Sequence, residues 1–360
     1  MKADVIKLSL GIKPSKGVSK ETLNHPGLVR LASGLDPMKH TAEAYLKAYD
    51  SLGIDIINRV PEQNAPEPMK PGETQMMENG YSRSYLGLYD SWTRNKYPFD
   101  DVDDFFQSSD IDLQYDKLIT PVPHRLDKET INRKMQLAGE IGLYYYMYYT
   151  TLFMWGVEYL GWEIFMQAAT IDPEGFKERF LDRAFQRSKE AIELLSGIDT
   201  PFVFVHDDLA DARGPVFSPG WYEKYIFPEY IKLFGPVKRA GKKIIFTADG
   251  NMEHFLEDLK HCGVDGVMLE SPATSFDKII RSFENGIMIG GIETSKLTFG
   301  NEQEIKEHVR LVHKKTENIN GFAMSSAGGI HGNIPIDNLA AYFDARAELG
   351  YTKPDWRKNR

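Results

Sequence analysis

The stretch KIIFTADGNMEHFLEDLKHCGVDGVMLE, residues 243–270, contains one complete strand–helix–strand unit of the predicted fold. Its two ends, 243–249 and 265–270, are short apolar runs of the kind that forms strands. Asn251, a preferred helix cap, precedes a segment of helical period at 252–262. Strands that are apolar on both faces and separated by a helix indicate a buried parallel sheet.

Runs of the same kind flank this unit along the chain. Further strands are predicted at 201–207 (PFVFVHD), 286–292 (GIMIGGI) and 320–326 (NGFAMSS). Three earlier runs bring the number of strands to eight: 27–33 (GLVRLAS), 54–60 (IDIINRV) and 142–149 (GLYYYMYY). Helical period and caps such as Ser218-Pro219 predict helices between them, at 40–52, 173–197, 219–240, 302–317 and 335–349.

Eight strands that alternate with helices predict an α/β fold, a (β/α)8 TIM barrel that spans residues 1–360 as a single domain. The competing fold, an open doubly wound sheet, would place a glycine-rich phosphate-binding turn after an early strand. Only Gly34 stands there. The proline- and aromatic-rich stretch 61–128 is long for a connection, and it is predicted to be an insertion after the second strand that serves as a lid or substrate-binding segment.

Composition narrows the class of protein and its partners. The formal net charge of −9 argues against nucleic acid as a partner, because neutralising phosphates needs an excess of Lys and Arg. The only cysteine, Cys262, excludes a disulfide within the chain and is interpreted as a buried structural thiol. Residues 1–20 lack the apolar run of a signal peptide, and no apolar stretch approaches the ~20 residues of a membrane span. We therefore expect a cytoplasmic protein without a membrane partner.

Candidate functional residues follow the ends of the predicted strands, where barrels of this kind carry their reacting groups. Asp249 and Glu270 end apolar runs at points where an unpartnered buried carboxylate would be costly, so they are predicted catalytic residues together with His206. His206 begins His-Asp-Asp and could equally belong to a helix cap. Predicted substrate contacts come from strand ends and from the aromatic-rich segment at 144–162: Asp207, Asp208, Tyr148, Trp155, Glu293 and Ser326.

Several motifs in the second half of the chain occur together. They are WGVEYLGWEIFMQAATIDPE at 155–174, Asp207-Asp208 followed by Ser218-Pro219, Gly263-Val264-Asp265-Gly266, and Ile334-Pro335-Ile336-Asp337-Asn338-Leu339. In these motifs the chain resembles the uroporphyrinogen decarboxylase superfamily, which includes cobalamin-dependent methyltransferases. The resemblance implies the same (β/α)8 barrel.

The resemblance also bears on the reaction. Decarboxylases of the superfamily carry Arg-Gln-Ala-Gly-Arg near the first strand, whereas the nearest match here, Arg30-Leu31-Ala32-Ser33-Gly34, keeps one arginine. Coenzyme M methyltransferases bind zinc through His-x-Cys after the fifth strand, where this chain has Thr247-Ala248-Asp249. The resemblance favours the branch that moves a methyl group from a small-molecule donor to the cobalt of a separate corrinoid protein. Decarboxylation and a non-catalytic ligand-binding barrel remain alternatives.

The dense aromatic residues favour a methoxylated aromatic as the methyl donor, so the expected reaction is O-demethylation. A phenolate, with a pKa near ~10, leaves poorly, and a metal or a protonated side chain at the ether oxygen would lower the barrier. Asp249, Glu270 and His331 are predicted to bind zinc; alternatively, Asp249 and Glu270 share a proton and His331 is a surface residue. The corrinoid protein is expected to dock over the open end of the barrel. The oligomeric state stays open, with a homodimer as one option.

Overall fold

The computed structural model describes residues 3–60, 73–76, 81–85, 90–94, 96–109, 111, 113 and 126–354. Within these ranges, short strands form one parallel barrel. The barrel strands are β1 (Val18–Ser19), β2 (Ile56–Ile57), the interrupted β3 (Leu143–Tyr144 and Met147–Tyr148), β4 (Phe202–His206), β5 (Lys243–Ala248), β6 (Gly266–Leu269), β7 (Ile287–Ile292) and β8 (Phe322–Ser326).

Most helices connect successive strands and pack outside them, but the first, Ala3–Ser9, precedes β1 and packs Val5 and Leu8 against residues inside the barrel. The helices before β3 are α1 (Ala3–Ser9), α2 (Pro26–Ser33), α3 (Thr41–Leu52), α4 (Val102–Gln107) and α5 (Lys128–Ala138). Between β3 and β5 lie α6 (Phe153–Ile171), α7 (Pro173–Phe176), a π-helical segment (Lys177–Leu181), α8 (Asp182–Ser196), α9 (Pro219–Tyr225) and α10 (Phe227–Arg239). After β5 come a 3-10 turn (Glu253–Phe255), α11 (Leu256–His261), α12 (Phe276–Phe283), α13 (Thr294–Phe299), α14 (Glu302–Thr316) and α15 (Ile336–Glu348).

The parallel pairings close a ring of eight strands. From β4 to β8 each strand pairs with the next one along the chain, and β8 pairs with β1. A bridge from Lys20 to Ile56 joins β1 to β2. The first half of β3 pairs with β2 and the second half with β4, which completes the ring. The structure therefore confirms the predicted (β/α)8 barrel.

The predicted first strand at 27–33 was wrong, because these residues form helix α2. His25 caps this helix by accepting the Leu28 N–H on Nδ1 at 3.0 Å, and Pro26 fills the first turn, where a missing N–H costs nothing. Gly34 ends the helix in the left-handed conformation, with φ of 71°. The apolar run was too short to separate a strand from a buried helix by period alone. The first barrel strand lies earlier, at β1.

Alternate residues of the strands face the barrel axis and form their own apolar core. This interior core includes Val18, Ile56, Phe204, Ile245 and Ala323. The intervening residues join the larger core between strands and helices, as Ile57, Val205, Phe246 and Met324 do. Side chains of a strand alternate between its two faces. The next inward positions, at the carboxyl ends of these strands, are therefore Lys20, Asn58, His206, Thr247 and Ser325. We call this end the barrel mouth.

The predicted insertion 61–128 is described only in part. Its described residues include a three-stranded antiparallel sheet of Thr74–Met76, Tyr81–Tyr85 and Asp90–Arg94, followed by α4. Arg94 Nη1 donates to the Glu158 carbonyl at 2.6 Å, which fastens this sheet to α6. Glu62, which follows the second predicted strand and is therefore also a candidate for the mouth, lies outside the described residues. In the part of the chain that the structure describes, no helix is long and apolar enough to cross a membrane.

Candidate active site

His206 ends β4 and faces the barrel axis in a fixed orientation. Its Nδ1 lies 3.0 Å from the Tyr149 carbonyl oxygen, and because a carbonyl only accepts, Nδ1 carries the hydrogen. The backbone carbonyl of His206 accepts both the N–H and the hydroxyl of Thr151, at 3.2 and 3.0 Å. The Tyr149 ring packs beside the imidazole with 4.8 Å between centroids. These contacts leave Nε2 as the reactive nitrogen, turned into the mouth.

Two aspartates complete a compact group with His206. Asp208 Oδ1 lies 3.2 Å from His206 Nε2 and accepts the backbone N–H of Asp249 at 2.8 Å. That second contact ties the loop after β4 to the end of β5. One ligand atom each from His206, Asp208 and Asp249 lies within 4.8 Å of the other two. We call these three residues the His-Asp-Asp group.

The charges of this group are strongly coupled. Burial opposes protonation of His206, but the hydrogen bond and charge of Asp208 outweigh it and raise the pKa of His206 to about 9. Burial also opposes ionisation of Asp208, yet His206 holds the pKa of that carboxyl below its ordinary value. Burial, together with the nearby charges of Asp208 and Glu270, raises the pKa of Asp249 to about 6. The group therefore holds a positive charge between two carboxylates near neutral pH.

The His-Asp-Asp group offers one imidazole nitrogen and two carboxylates, a donor set that suits zinc. The Nδ1–H bond to a backbone carbonyl also matches the way proteins orient a metal-bound histidine. Of the predicted zinc ligands, Asp249 belongs to this group. Glu270 lies near enough to raise the pKa of Asp249 but is outside the three residues brought together here.

His331, the third predicted zinc ligand, lies in a different part of the mouth. It is in a two-residue strand, Ile330–His331, that pairs in parallel with Leu23–Asn24 after β1. Its Nδ1 accepts the N–H of Asn333 at 3.3 Å. The structure thus brings Asp249 together with His206 and Asp208 instead of with His331.

Asp207 faces outward and anchors the start of helix α6. Its Oδ2 accepts the N–H groups of Leu152 and Phe153 at 2.7 and 2.8 Å, and the Tyr230 hydroxyl at 2.6 Å. Its Oδ1 accepts the Met154 N–H at 2.6 Å. Burial raises the pKa of Asp207 to about 6, although these four donors favour the carboxylate. With both oxygens occupied and the side chain buried, Asp207 stabilises the fold beside the site.

Two aromatic residues predicted to contact substrate lie between β3 and helix α8. The Tyr148 hydroxyl lies 3.2 Å from Ser188 Oγ, and the Trp155 Nε1–H donates to the same oxygen at 2.9 Å. Both side chains are fully buried. The structure places them in the core, away from the His-Asp-Asp group.

The remaining two predicted contacts, Ser326 and Glu293, are also not part of the His-Asp-Asp group. Ser326 is buried and donates its hydroxyl to Glu21 Oε2 at 2.5 Å. Glu21 also accepts the Tyr342 hydroxyl at 2.5 Å and lies 3.8 Å from Arg346 Nη1. Glu293 precedes helix α13, and its N–H donates to His308 Nε2 at 3.1 Å.

Four residues at or near the barrel mouth were not candidates in the sequence analysis: Lys20, Arg59, Tyr149 and Glu158. Lys20 was not a candidate because the first strand was predicted nine residues too late, and the three polar residues in a row at 19–21 give no strand pattern. Tyr149 is one of many aromatic residues in the segment 144–162, and nothing in the sequence distinguishes it from the others. Glu158 lies on α6 near His206 and Asp208; burial raises its pKa, against the lowering effect of Arg94 and His206.

One solved structure shares this fold over nearly the whole chain. A solved structure of a methyltransferase from Methanosarcina mazei is similar over 96% of this chain and 98% of its own, with a TM-score of 0.67 and 17% identity. D-psicose 3-epimerase from Clostridium cellulolyticum H10 is similar over 63% of this chain and 85% of its own, with a TM-score of 0.38 and 12% identity. The β-mannanase of the blue mussel Mytilus edulis is similar over 94% of each chain, with a TM-score of 0.39 and 10% identity.

No curated protein matches the sequence. The family model described as uroporphyrinogen decarboxylase (URO-D) matches residues 162–349, which is more than half of the chain. These residues run from within α6 through β8 to the end of α15 and include the whole His-Asp-Asp group. The chain belongs to the uroporphyrinogen decarboxylase family.

Proposed function

We propose that this protein is a methyltransferase that passes a methyl group from a small-molecule donor, a methoxylated aromatic, to the corrinoid of a partner protein. The observation that carries the proposal is the His-Asp-Asp group, which holds a positive charge at the carboxyl ends of β4 and β5. An ether oxygen that becomes a phenolate needs such a charge beside it. The name of the Methanosarcina mazei structure, a methyltransferase of similar fold, supports the same class of reaction.

The chain has two tasks in this reaction. It must hold the methyl carbon in line with its acceptor, and it must stabilise the oxygen from which the methyl group departs. The corrinoid, when its carrier protein is docked, supplies the nucleophile that accepts the methyl group. The Tyr149 carbonyl fixes the His206 ring, and Asp208 keeps the proton on Nε2. The ether oxygen can receive that proton as its bond to the methyl carbon breaks and the bonding electrons stay on oxygen.

A zinc ion would occupy the same position as this proton. His206 Nε2 and the carboxylates of Asp208 and Asp249 would hold it, and the ion would supply a Lewis acid at the ether oxygen. Glu270 adds negative charge next to Asp249, which strengthens the attraction for a cation. Zinc and the proton thus act on the same atom of the donor.

Decarboxylation of a polycarboxylate tetrapyrrole is the second candidate, and the family match is its support. The described residues of the mouth favour decarboxylation less, because acids follow β4, β5 and β6, namely Asp208, Asp249 and Glu270. Several bidentate arginines would be expected around a substrate with many carboxylates.

The proposal is tested by mixing the purified protein with reduced corrinoid protein and a series of methoxylated aromatics. The cobalamin spectrum reports methylation, and the demethylated phenol is measured in parallel. The Asp208→Asn variant should be slower by about 10²–10⁴-fold, since it loses the partner that keeps the proton or metal in place. Asp211→Asn is the matched control, because Asp211 is exposed and pairs with Arg213. Absence of methylation with every donor, or release of carbon dioxide from uroporphyrinogen, would refute the proposal.

A further inference from the structure

A lysine is buried in the barrel mouth opposite the His-Asp-Asp group. Lys20 follows β1, its N–H donates to the Met324 carbonyl at 3.0 Å, and it forms the bridge to Ile56 that closes the ring. Val18, two residues earlier, belongs to the interior core, so the Lys20 side chain shares the inward face. Lys20 is only 4% exposed.

The Lys20 ammonium has few partners. Its Nζ donates to the Thr22 hydroxyl at 2.8 Å, and that hydroxyl in turn donates to Asn58 Oδ1 at 3.1 Å. Within the described ranges, no carboxylate lies within 4 Å of Nζ. The adjacent Glu21 points outward to Tyr342 and Arg346. An ammonium has three hydrogens to donate, so this one keeps capacity for an incoming acceptor.

A buried ammonium without a counter-ion is costly, and the cost falls when an anion binds beside it. Burial lowers the pKa of Lys20 to about 8, which still leaves most of the side chain charged at neutral pH. Arg59 adds a second positive charge on the same side, where its guanidinium donates to Asn24 Oδ1. It is close enough to Tyr149 to lower the pKa of that hydroxyl, although burial and nearby acids raise it overall.

The strand order separates these charges across the mouth. In a ring of eight strands β1 lies opposite β5, so Lys20 faces the strand that Asp249 follows. Cations therefore follow β1 and β2, and acids follow β4, β5 and β6. A donor that spans the mouth would place its negative group at Lys20 and its reacting oxygen at the His-Asp-Asp group.

We propose that Lys20, with Thr22 and Asn58 behind it, is the binding site for a carboxylate on the substrate. This inference rests on the proposed function, which identifies the group at the other end of the substrate as a methoxy group. A single ammonium balances a carboxylate of charge −1 better than a phosphate of charge close to −2. The methyl donor is then an aromatic acid that carries its carboxylate and its methoxy group on opposite sides of the ring.

Calorimetric titration of the full-length protein tests the site without requiring turnover. The probes are benzoate, benzyl alcohol as its neutral counterpart, acetate and inorganic phosphate. We expect benzoate to bind at least tenfold more tightly than benzyl alcohol. The Lys20→Met variant should lose that preference by weakening benzoate alone, while Lys47→Met, at an exposed lysine of α3, should keep it.

Thermal unfolding shows whether Lys20→Met is folded, and Lys20→Arg, which keeps the charge, should retain part of the preference. Equal binding of benzoate and benzyl alcohol, no binding of either benzoate or acetate, or a preference that survives in Lys20→Met would overturn the site. Tighter binding of phosphate than of acetate would overturn the carboxylate assignment. If benzoate binds through Lys20 but no methyl transfer occurs, the site stands and the proposed function fails.

Discussion

His206 Nε2 lies 3.2 Å from Asp208 Oδ1, while Nδ1 of the same ring is bound to the Tyr149 carbonyl. A neutral ring in this tautomer would turn a lone pair towards a carboxylate, which is unfavourable in a buried site. A proton or a metal ion must therefore lie between the two side chains. This relationship explains how the end of β4 can supply positive charge to the barrel mouth, although acidic residues follow β4, β5 and β6.

The charge on His206 should depend on Asp208. In metal-free protein we expect His206 to titrate near pH 9, and Asp208→Asn to move the titration to lower pH. The variant removes the carboxylate that favours the charged ring and leaves burial, which disfavours it. NMR resonances of the imidazole, followed as a function of pH, give the pKa of His206 in the unsubstituted protein and in the variant. The Asp211→Asn variant serves as the control and should leave the His206 titration unchanged; an unshifted titration in Asp208→Asn would contradict the ion pair.

Asp207 and Asp208 are adjacent, yet their substitutions should have different consequences. Asp207→Asn replaces a carboxylate that accepts four hydrogen bonds, so an amide NH₂ would face backbone donors at the start of α6. We expect it to lower the free energy of unfolding by about 2–4 kcal/mol. Urea unfolding measures this loss, and Asp208→Asn should show a smaller loss with the larger effect on turnover. The reverse pattern would place Asp207 in the reaction.

The buried cluster of Glu21, Ser326, Tyr342 and Arg346 should also be structural. Glu21→Gln leaves the Arg346 guanidinium buried without an ionic partner and should cost about 3–5 kcal/mol of unfolding free energy. Ser326→Ala removes one hydrogen bond and should cost about 1 kcal/mol. Both are measured by urea unfolding, with Glu302→Gln as the exposed control. A raised KM in Ser326→Ala at unchanged stability would restore the role in substrate binding predicted from the sequence.

The sequence predicted the barrel because the second half of the chain repeats one simple pattern. Residues 201–207, 243–249 and 320–326 are each apolar on both faces and bounded by caps, and all three form barrel strands. The first half lacks such runs. β1 and β2 have only two residues each, so an alternation of apolar and polar residues cannot be detected in them. The short apolar run at 27–33 was predicted to be a strand, but it belongs to the capped helix Pro26–Ser33.

The sequence placed candidate residues at the strand ends but did not say which of them the fold would bring together. Residues after strands mark the mouth, and His206, Asp208 and Asp249 were named as candidates in this way. The rule does not say which face of the strand a residue takes. Asp207 and Ser326 point outward because each directly follows an inward-facing residue, His206 and Ser325. Lys20 depended on knowing where β1 lies, which the sequence pattern did not reveal.

The metal prediction separates the two ways in which the His-Asp-Asp group can carry positive charge. We expect purified protein to contain about one zinc ion per chain, because the group supplies three ligands and leaves room for a donor oxygen. Chelation should abolish methyl transfer, and added zinc should restore it.

His206→Ala and Asp249→Ala should lower the zinc content measured by elemental analysis, whereas His331→Ala should not, since His331 lies beside Asn24 and Asn333. Glu270→Gln should weaken zinc binding only modestly, because Glu270 is outside the group of three ligands and contributes only a nearby negative charge. Full activity in metal-free protein would exclude the zinc site and leave the proton on His206 as the acid, and loss of zinc in His331→Ala would instead support the ligand set predicted from the sequence.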